Sequence, residues 1–391
     1  QKSFTSSDDD ATVSVPGGSS SAPFSSYNNF WGTSRSNLSY SYWQHEFAVQ
    51  MFTGTTVKYD ETTGERTRTN ANPYYPYELM PQQIITDTLH DVPGHFDPRV
   101  TVKLATASNP NYLNLDDLDS IKAYKYYGGT FTGTTGSVGI APSFYGRNSK
   151  STFAGTINDG IGRWLYRDDA PYILTTYAEI QFCLAEAYWK RNEKGNAFLA
   201  FKEGVKADMD FTQRYIYTGK EGQPTGGDKI TKAAFNSLAA DYLNGPYVNN
   251  LSMSDFSLSH IMMQKWIALY PWGACEAWVD MRKYHYDIKY TGDYPSSNNG
   301  WTDVMLDQKW DSDPSKVYKG LYMAPAQVEG RKGSYNLDNA GSPEYRLRPR
   351  YNSEYMWNLK SLELLKPIPG TADNYHTSKP WFAYPGEMPI N

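Results

Sequence analysis

Residues 171–210 read PYILTTYAEIQFCLAEAYWKRNEKGNAFLAFKEGVKADMD, and no other stretch limits the fold as tightly. Apolar side chains at Ile173, Tyr177, Ile180, Leu184 and Ala187 recur at steps of three and four. That spacing predicts one helical stripe. Thr176 and Glu179 have the spacing of a capping box at its start. Arg191-Asn192 and Gly195-Asn196 supply turn residues, and a second helix carries Ala197, Phe201 and Val205 on one face. Small Ala185, Ala187, Ala197 and Ala200 let the two helices approach closely. The expectation is a tetratricopeptide-like helical hairpin, a unit built to stack on neighbours.

The rest of the chain is less regular. Residues 1–26 are rich in Ser, Gly, Asp and Thr and read as a loop or linker. From Tyr27 to about Gly162, Tyr, Gly, Asn, Pro and Thr dominate; Glu46–Phe52 can form helix or strand, and Met80–Leu89 a helix. Further helices are expected at Lys229–Leu243 and at Ser254–Tyr270, where Leu258, Ile261, Met262, Trp266 and Leu269 are in register. Pro271 and Gly273 end the latter, and Ala274–Lys283 reads as another short helix. Residues 290–343 return to irregular sequence before a last helix from Ser353, an N-cap, to Leu365. Helices from separated parts must close one core, so residues 27–391 read as one mainly α domain with long irregular excursions. Long ordered loops in a compact protein usually carry function.

Composition removes several function classes. The net charge of 391 residues is −5 and no long basic run exists, so the footprint of a nucleic-acid binder is missing. No run of eighteen apolar residues appears; even IMMQKWIALY contains Gln264 and Lys265. Cys183 and Cys275 lie in apolar helical contexts and read as buried thiols rather than a disulfide. Aromatic residues make up 15%, with 33 Tyr and 11 Trp. An interior cannot absorb that many amphipathic rings, so many should lie where flat ligands stack.

Catalytic and metal signatures are weak. His90-Asp91 and His95 with Asp97 enclose Pro93-Gly94, so the imidazoles cannot share a helical face, and the segment reads as a surface loop. Asp307, Asp311 and Asp313 near Trp310 form a partial Asp-x-Asp pattern without the Gly and distal Glu of a calcium loop. Neither a G-x-S-x-G, a Gly-rich phosphate loop nor a Cys-x-x-Cys occurs. Paired carboxylates have arbitrary spacing, so a glycoside hydrolase with aromatic subsites stays open. No residue is assigned to catalysis, metal binding or a cofactor. Rings interleaved with amides and hydroxyls are more informative. Asn72-Pro73-Tyr74-Tyr75-Pro76-Tyr77 is a proline-stiffened aromatic run, Phe144-Tyr145 flanks Gly-rich sequence, and Trp301 and Trp310 lie in the late irregular region. Such rings offer contact area with only two torsions to freeze. Tyr74, Tyr75, Tyr145, Trp301 and Trp310 are the candidate ligand-binding residues.

Three segments carry a resemblance. The first is Pro171 to Glu179 with Leu184-Ala185-Glu186-Ala187. The second is Ile261 to Tyr270 followed by Gly273, Glu276-Ala277-Trp278 and Arg282. The third is Arg346-Leu347-Arg348-Pro349-Arg350-Tyr351 with Ser353-Glu354 and Asn358. In this order they resemble the SusD/RagB family of nutrient-binding outer-membrane lipoproteins, especially its second SusD-like branch. Order and spacing agree from Asp97-Pro98-Arg99 to Asn358; one departure is Asn352, where the family has Pro after Tyr.

The resemblance implies a SusD-like fold and a cell-surface protein of a Bacteroidota-type bacterium, held in the outer membrane by a lipid anchor outside this chain. It implies a SusC-like TonB-dependent transporter as partner, with oligosaccharide or peptide as cargo and no bond broken. It also implies that the family's N-terminal helical portion has no counterpart in these residues. The shared motifs read as scaffold: Trp266 and Trp278 as core rings, with Gln264, Glu276 and Arg282 satisfying polar groups around them.

Overall fold

The backbone is extended over Tyr172–Thr175 and turns helical after Thr176. Thr176 keeps β-region torsions and its side chain accepts a hydrogen bond from the Glu179 amide at 3.1 Å, which supplies one of the donors a helix start leaves unpaired. Tyr172–Thr175, aromatic and β-branched in part, forms strand β6 instead of the helical start expected from Ile173. In a computed structural model of the protein, the described residues are 4–13, 52, 56–59, 66–69, 71–72, 75–76, 97–104, 164–166, 171–216, 231–283, 285–286, 310–311 and 357–364. They are mostly helical. The chain divides into two compact units, residues 1–274 and 275–391.

In the first unit, strand β1 (Ala11–Val13) follows a 3-10 turn at Ser7–Asp9 and pairs antiparallel with β6. Ordered structure thus occurs within the stretch read as a linker. The register is irregular between Ala11 and Thr12, and Leu174 opposite this bulge is 59% exposed. Strands β2 (Thr56–Tyr59) and β3 (Arg66–Thr69) form one antiparallel ribbon, and β4 (Ala71–Asn72) with β5 (Tyr75–Pro76) another. A short helix α1 (Val100–Lys103) and a 3-10 turn at Trp164–Tyr166 precede the long helices.

Helices α2 (Tyr177–Lys190) and α3 (Lys194–Arg214) form the expected hairpin. The turn between them is a Schellman motif: Asn192 takes φ 60°, its amide bonds to the Trp189 carbonyl at 2.9 Å, and the Glu193 amide to that of Tyr188 at 2.9 Å. Gly195 and Asn196, expected in the turn, already belong to α3. Ala197, Phe201 and Val205 are fully buried, as their spacing predicted. The face of α2 is another matter. Ala178, Phe182 and Ala185 are buried, whereas Ile180 is half-buried and Leu184 and Ala187 are exposed. Phe182 decides the rotation, because its ring fits over Gly204, where a Cβ would lie 2.9 Å from it, and meets Phe201 edge-on.

Helix α4 (Lys232–Asn244), capped by Thr231, packs on α3 through a face bearing Phe235, Ala239 and Tyr242. Helix α5 (Leu258–Leu269) packs on both α2 and α3. Phe198, Phe201, Phe256, Trp189 and His260 form an aromatic cluster with centroids 4.8–6.4 Å apart. Trp266, expected as a core ring, is only half-buried. It lies at the edge of α5, stacked on Tyr270 at 5.2 Å with Phe52 edge-on at 6.4 Å. A ring of that size seldom disappears fully from water.

In the second unit, helix α6 runs from Ala274 at the boundary to Lys283, as expected. Trp278 is half-buried and Glu276 exposed, so Glu276 does not satisfy buried groups as the motif reading held. Strand β7 (His285–Tyr286) pairs with β8 (Trp310–Asp311), and helix α7 spans Leu359–Glu363 inside the expected last helix. The proposed cap Ser353 and the segment Met80–Leu89 lie outside the described residues. Cys183 and Cys275 are both exposed thiols, a correction to the buried reading: Cys183 is on the outward face of α2 and Cys275 in the first turn of α6.

Candidate functional site

Helix α3 is the element on which separated parts of the first unit converge. Its buried face runs through Ala197, Phe201 and Val205 to Asp208, which is 1% exposed. A carboxylate cannot stay ionised there without partners. It has two cations: Arg99 Nη1 at 2.8 Å, and Lys103 Nζ at 2.8 and 2.9 Å from its two oxygens. Arg99 is itself fully buried. Its Nε and Nη2 hold the Asp97 carboxylate in a fork at 2.6–3.2 Å, and Nη2 also donates to Gln264 Oε1 on α5 at 2.7 Å. Gln264 Nε2 then donates to the Tyr242 hydroxyl on α4 at 3.2 Å. The network joins residues 97–104 to α3, α4 and α5, and fork geometry of this kind is specific as well as strong.

Lys103 reaches further. Its Nζ donates to the Ile267 carbonyl at 2.8 Å near the end of α5, and it sits 5.3 Å over the Trp164 ring. Burial lowers its pKa to about 8 against the pull of Asp208, whereas Asp97 and Asp208 raise that of Arg99 despite its burial. Both stay charged at neutral pH. Asp97, expected in a surface loop with His90 and His95, is fully buried instead because Arg99 supplies its counter-charge. His90, Asp91 and His95 lie outside the described residues.

A second charged contact closes the open end of the hairpin. Asp10, from the turn before β1, accepts from the Tyr177 amide at 2.6 Å, a first-turn donor of α2. It also accepts from Arg214 Nη1 at 3.2 Å, and Arg214 Nη2 donates to the Ser7 carbonyl at 2.8 Å. Burial pushes the Asp10 pKa up to about 6, outweighing the Tyr177 amide and Arg214; Asp208 and Asp8 add to the rise. Asp10 was missed because its run of three aspartates looked like linker. Asp208 was not singled out either, although it falls on the same face as Ala197, Phe201 and Val205, where a carboxylate demands a buried cation.

The candidate rings divide by position. Tyr75 stands in β5 and Trp310 in β8. The β4–β5 register pairs Asn72 with Tyr75, and the β7–β8 register sets Trp310 opposite Tyr286. Tyr74, Tyr145 and Trp301 lie outside the described residues. Among the described residues, no three His, Cys, Asp or Glu gather as a metal would require, and no helix is long and apolar enough to cross a membrane.

Residues 97–301 match the second SusD-like family, described as starch-binding and associating with the outer membrane. The match covers more than half of the chain and begins at Asp97, the first member of the buried network. This chain belongs to that SusD-like family. The first two resemblance segments lie inside the matched residues, and the third, from Arg346, beyond them. No curated protein and no solved structure matches the chain. The family's mainly α architecture agrees with the described helices, and its signature coincides with the elements joined through Asp208.

Proposed function

We propose that this SusD-like protein captures a starch-like oligosaccharide at the surface of the outer membrane, lipid-anchored there, and delivers it to a SusC-like TonB-dependent transporter. The family match over residues 97–301, with its starch-binding description, is the observation that carries the reading. The aromatic content supports it, because sugar faces pack on flat rings while amide and hydroxyl neighbours take the hydroxyls. Tyr74, Tyr75, Tyr145, Trp301 and Trp310 are proposed as ligand contacts, some of which can instead meet the transporter. The protein holds cargo without breaking a bond; binding is its whole chemistry.

The test is a panel of starch oligosaccharides, other glycans and mixed peptides, scored for binding and for product release. Reversible glycan binding with no product is expected. Product release would make the protein a glycoside hydrolase, and exclusive capture of peptide would place it with the peptide importers. Co-isolation with an outer-membrane β-barrel from the same membranes is expected, and its absence would remove the transporter from the proposal. Changing all five rings to Ala should abolish glycan binding in a folded protein; unchanged affinity would move the site elsewhere.

A further inference from the structure

Residues 4–13 lie on the hairpin with little apolar anchorage. None of them is fully buried when its backbone is counted, Val13 is 47% exposed, and Leu174 on the paired strand is 59% exposed. Polar contacts hold this arm: the β1–β6 pairing, the Asp10 carboxylate on the Tyr177 amide, and Arg214 on both Asp10 and the Ser7 carbonyl. At their centre the Asp10 side chain is 2% exposed, yet it is short of positive charge. Its cation, Arg214 at 3.2 Å, is one-third in water and also faces Asp8 at 3.7 Å. Asp208, six residues earlier on α3, has two buried cations of its own and still repels a charge on Asp10. Asp210 draws on Lys206 and then on the same Arg214. Helix α2 presents the Tyr177 amide, while the Tyr177 hydroxyl faces Glu203 and Asp9; strand β6 brings the Tyr172 hydroxyl. A dry carboxylate with a shared counter-charge gains by taking up a proton, and the neutral acid still accepts the amide bond.

We propose that residues 4–13 form an arm that clasps the α2–α3 hairpin in a pH-dependent way, tight when Asp10 is protonated and looser when it is ionised. Docking pushes the Asp10 carboxyl from an ordinary 3.8 up to about 6, with burial as the largest cause. The docked arm therefore holds the proton more tightly than the released arm. The clasp strengthens as the pH falls through about 6 and reaches its limit below about 3.8. That difference is worth about tenfold in the docking equilibrium between pH 7 and pH 5, and about a hundredfold at the acid limit. Release of the arm frees the Tyr177 amide and the β1–β6 pairing. It leaves the hairpin packed, because Phe182, Phe201 and Gly204 are untouched.

Hydrogen exchange in the full chain, corrected for the intrinsic effect of pH, reads the clasp at the Tyr177 amide; the Val205 amide in the α3 core reports global opening. Protection at Tyr177 should be about tenfold greater at pH 5 than at pH 7, relative to Val205. In Asp10→Asn, which cannot ionise, the two values should be equal, and Asp210→Asn should keep the wild-type ratio. Equal wild-type protection at the two pH values, greater protection at pH 7, or an undiminished ratio in Asp10→Asn overturns the clasp. A second measurement covers the case in which asparagine fails to seat. By carboxyl carbon NMR of the wild-type chain Asp10 should titrate at about 6, and Arg214→Ala should move that midpoint higher, since its cation is gone. A wild-type midpoint below about 4.5 overturns the proposal whatever the exchange shows.

Discussion

Helix α3 holds two Arg–Asp contacts six residues apart, and they show how surroundings decide what an ion pair does. At Asp208 both partners are out of water, all three guanidinium nitrogens and the Lys103 ammonium have acceptors, and four elements meet. At Arg214 the guanidinium is one-third exposed and its second carboxylate, Asp8, stands 3.7 Å away in solvent. The pairs are chemically alike. The first cannot be broken without stranding charge in a dry interior; in the second, water can take up the Arg214 guanidinium, while the Asp10 carboxylate is 2% exposed and meets the loss by taking up a proton.

The largest expected effect tests the dry side of that contrast. Asp208→Ala leaves Arg99 and Lys103 buried with one partner fewer, and removing one member of a buried pair costs about 3–5 kcal/mol. Chemical denaturation measures it, and a loss below about 1 kcal/mol would show that water reaches the network. Acid provides the next test. Burial among Phe201 and Phe256 lowers the His260 pKa to about 4, with Asp255 pulling weakly the other way, and Ser257 bonds to its Nδ1. The unfolded chain therefore takes up this proton first, near pH 6.5. Stability is fully present above pH 6.5 and falls as the pH drops toward 4, by about 3 kcal/mol at most. Asp10, raised to about 6, contributes with the opposite sign between about pH 6 and 4, so Asp10→Asn should deepen the acid loss. Loss of the acid slope in His260→Gln/Asp10→Asn, compared with Asp10→Asn alone, assigns the slope to His260.

Two smaller effects probe the exposed side. Trp266→Ala removes a half-buried ring stacked on Tyr270, so about 2 kcal/mol is expected, below the 3–5 of a fully buried Trp; thermal unfolding decides between them. Arg214→Ala should cost about 1–2 kcal/mol in global stability, since Asp10 stays buried but can take up a proton. A loss as large as that of Asp208→Ala would make the two contacts equivalent and end the comparison.

Much of the scaffold was legible. The α3 face, the Thr176 cap, the α5 helix and its stop at Pro271 and Gly273 all follow local rules, because capping, periodicity and backbone restriction act within a few residues. The buried face of α2 was misread because Ile180 and Leu184 on one side compete with Ala178, Phe182 and Ala185 on the other. The choice depends on Gly204, on another helix, and no local rule contains it. Asp10 was passed over for the same reason, its partner Arg214 lying 204 residues away, whereas Asp97 was read as part of a surface loop although Arg99, its counter-charge, is only 2 residues on. Of the proposed ligand rings, Tyr75 and Trp310 fall on strand positions, and their proposed role rests on sequence context alone.

One contact has a wider meaning. Lys103 lies against Trp164, so the residues on either side of 105–163 are neighbours in space. An insertion whose ends already meet can be lengthened, shortened or replaced at little entropic cost, since closure grows only slowly with length. The same holds for the stretch between Asp10 and Asp97, whose ends share one helix. A lineage could thus exchange such cassettes while keeping the plate to which they are fixed. Under the proposed function, with Tyr145 as a ligand contact, grafting 105–163 from a relative of different ligand preference is expected to carry that preference into this frame.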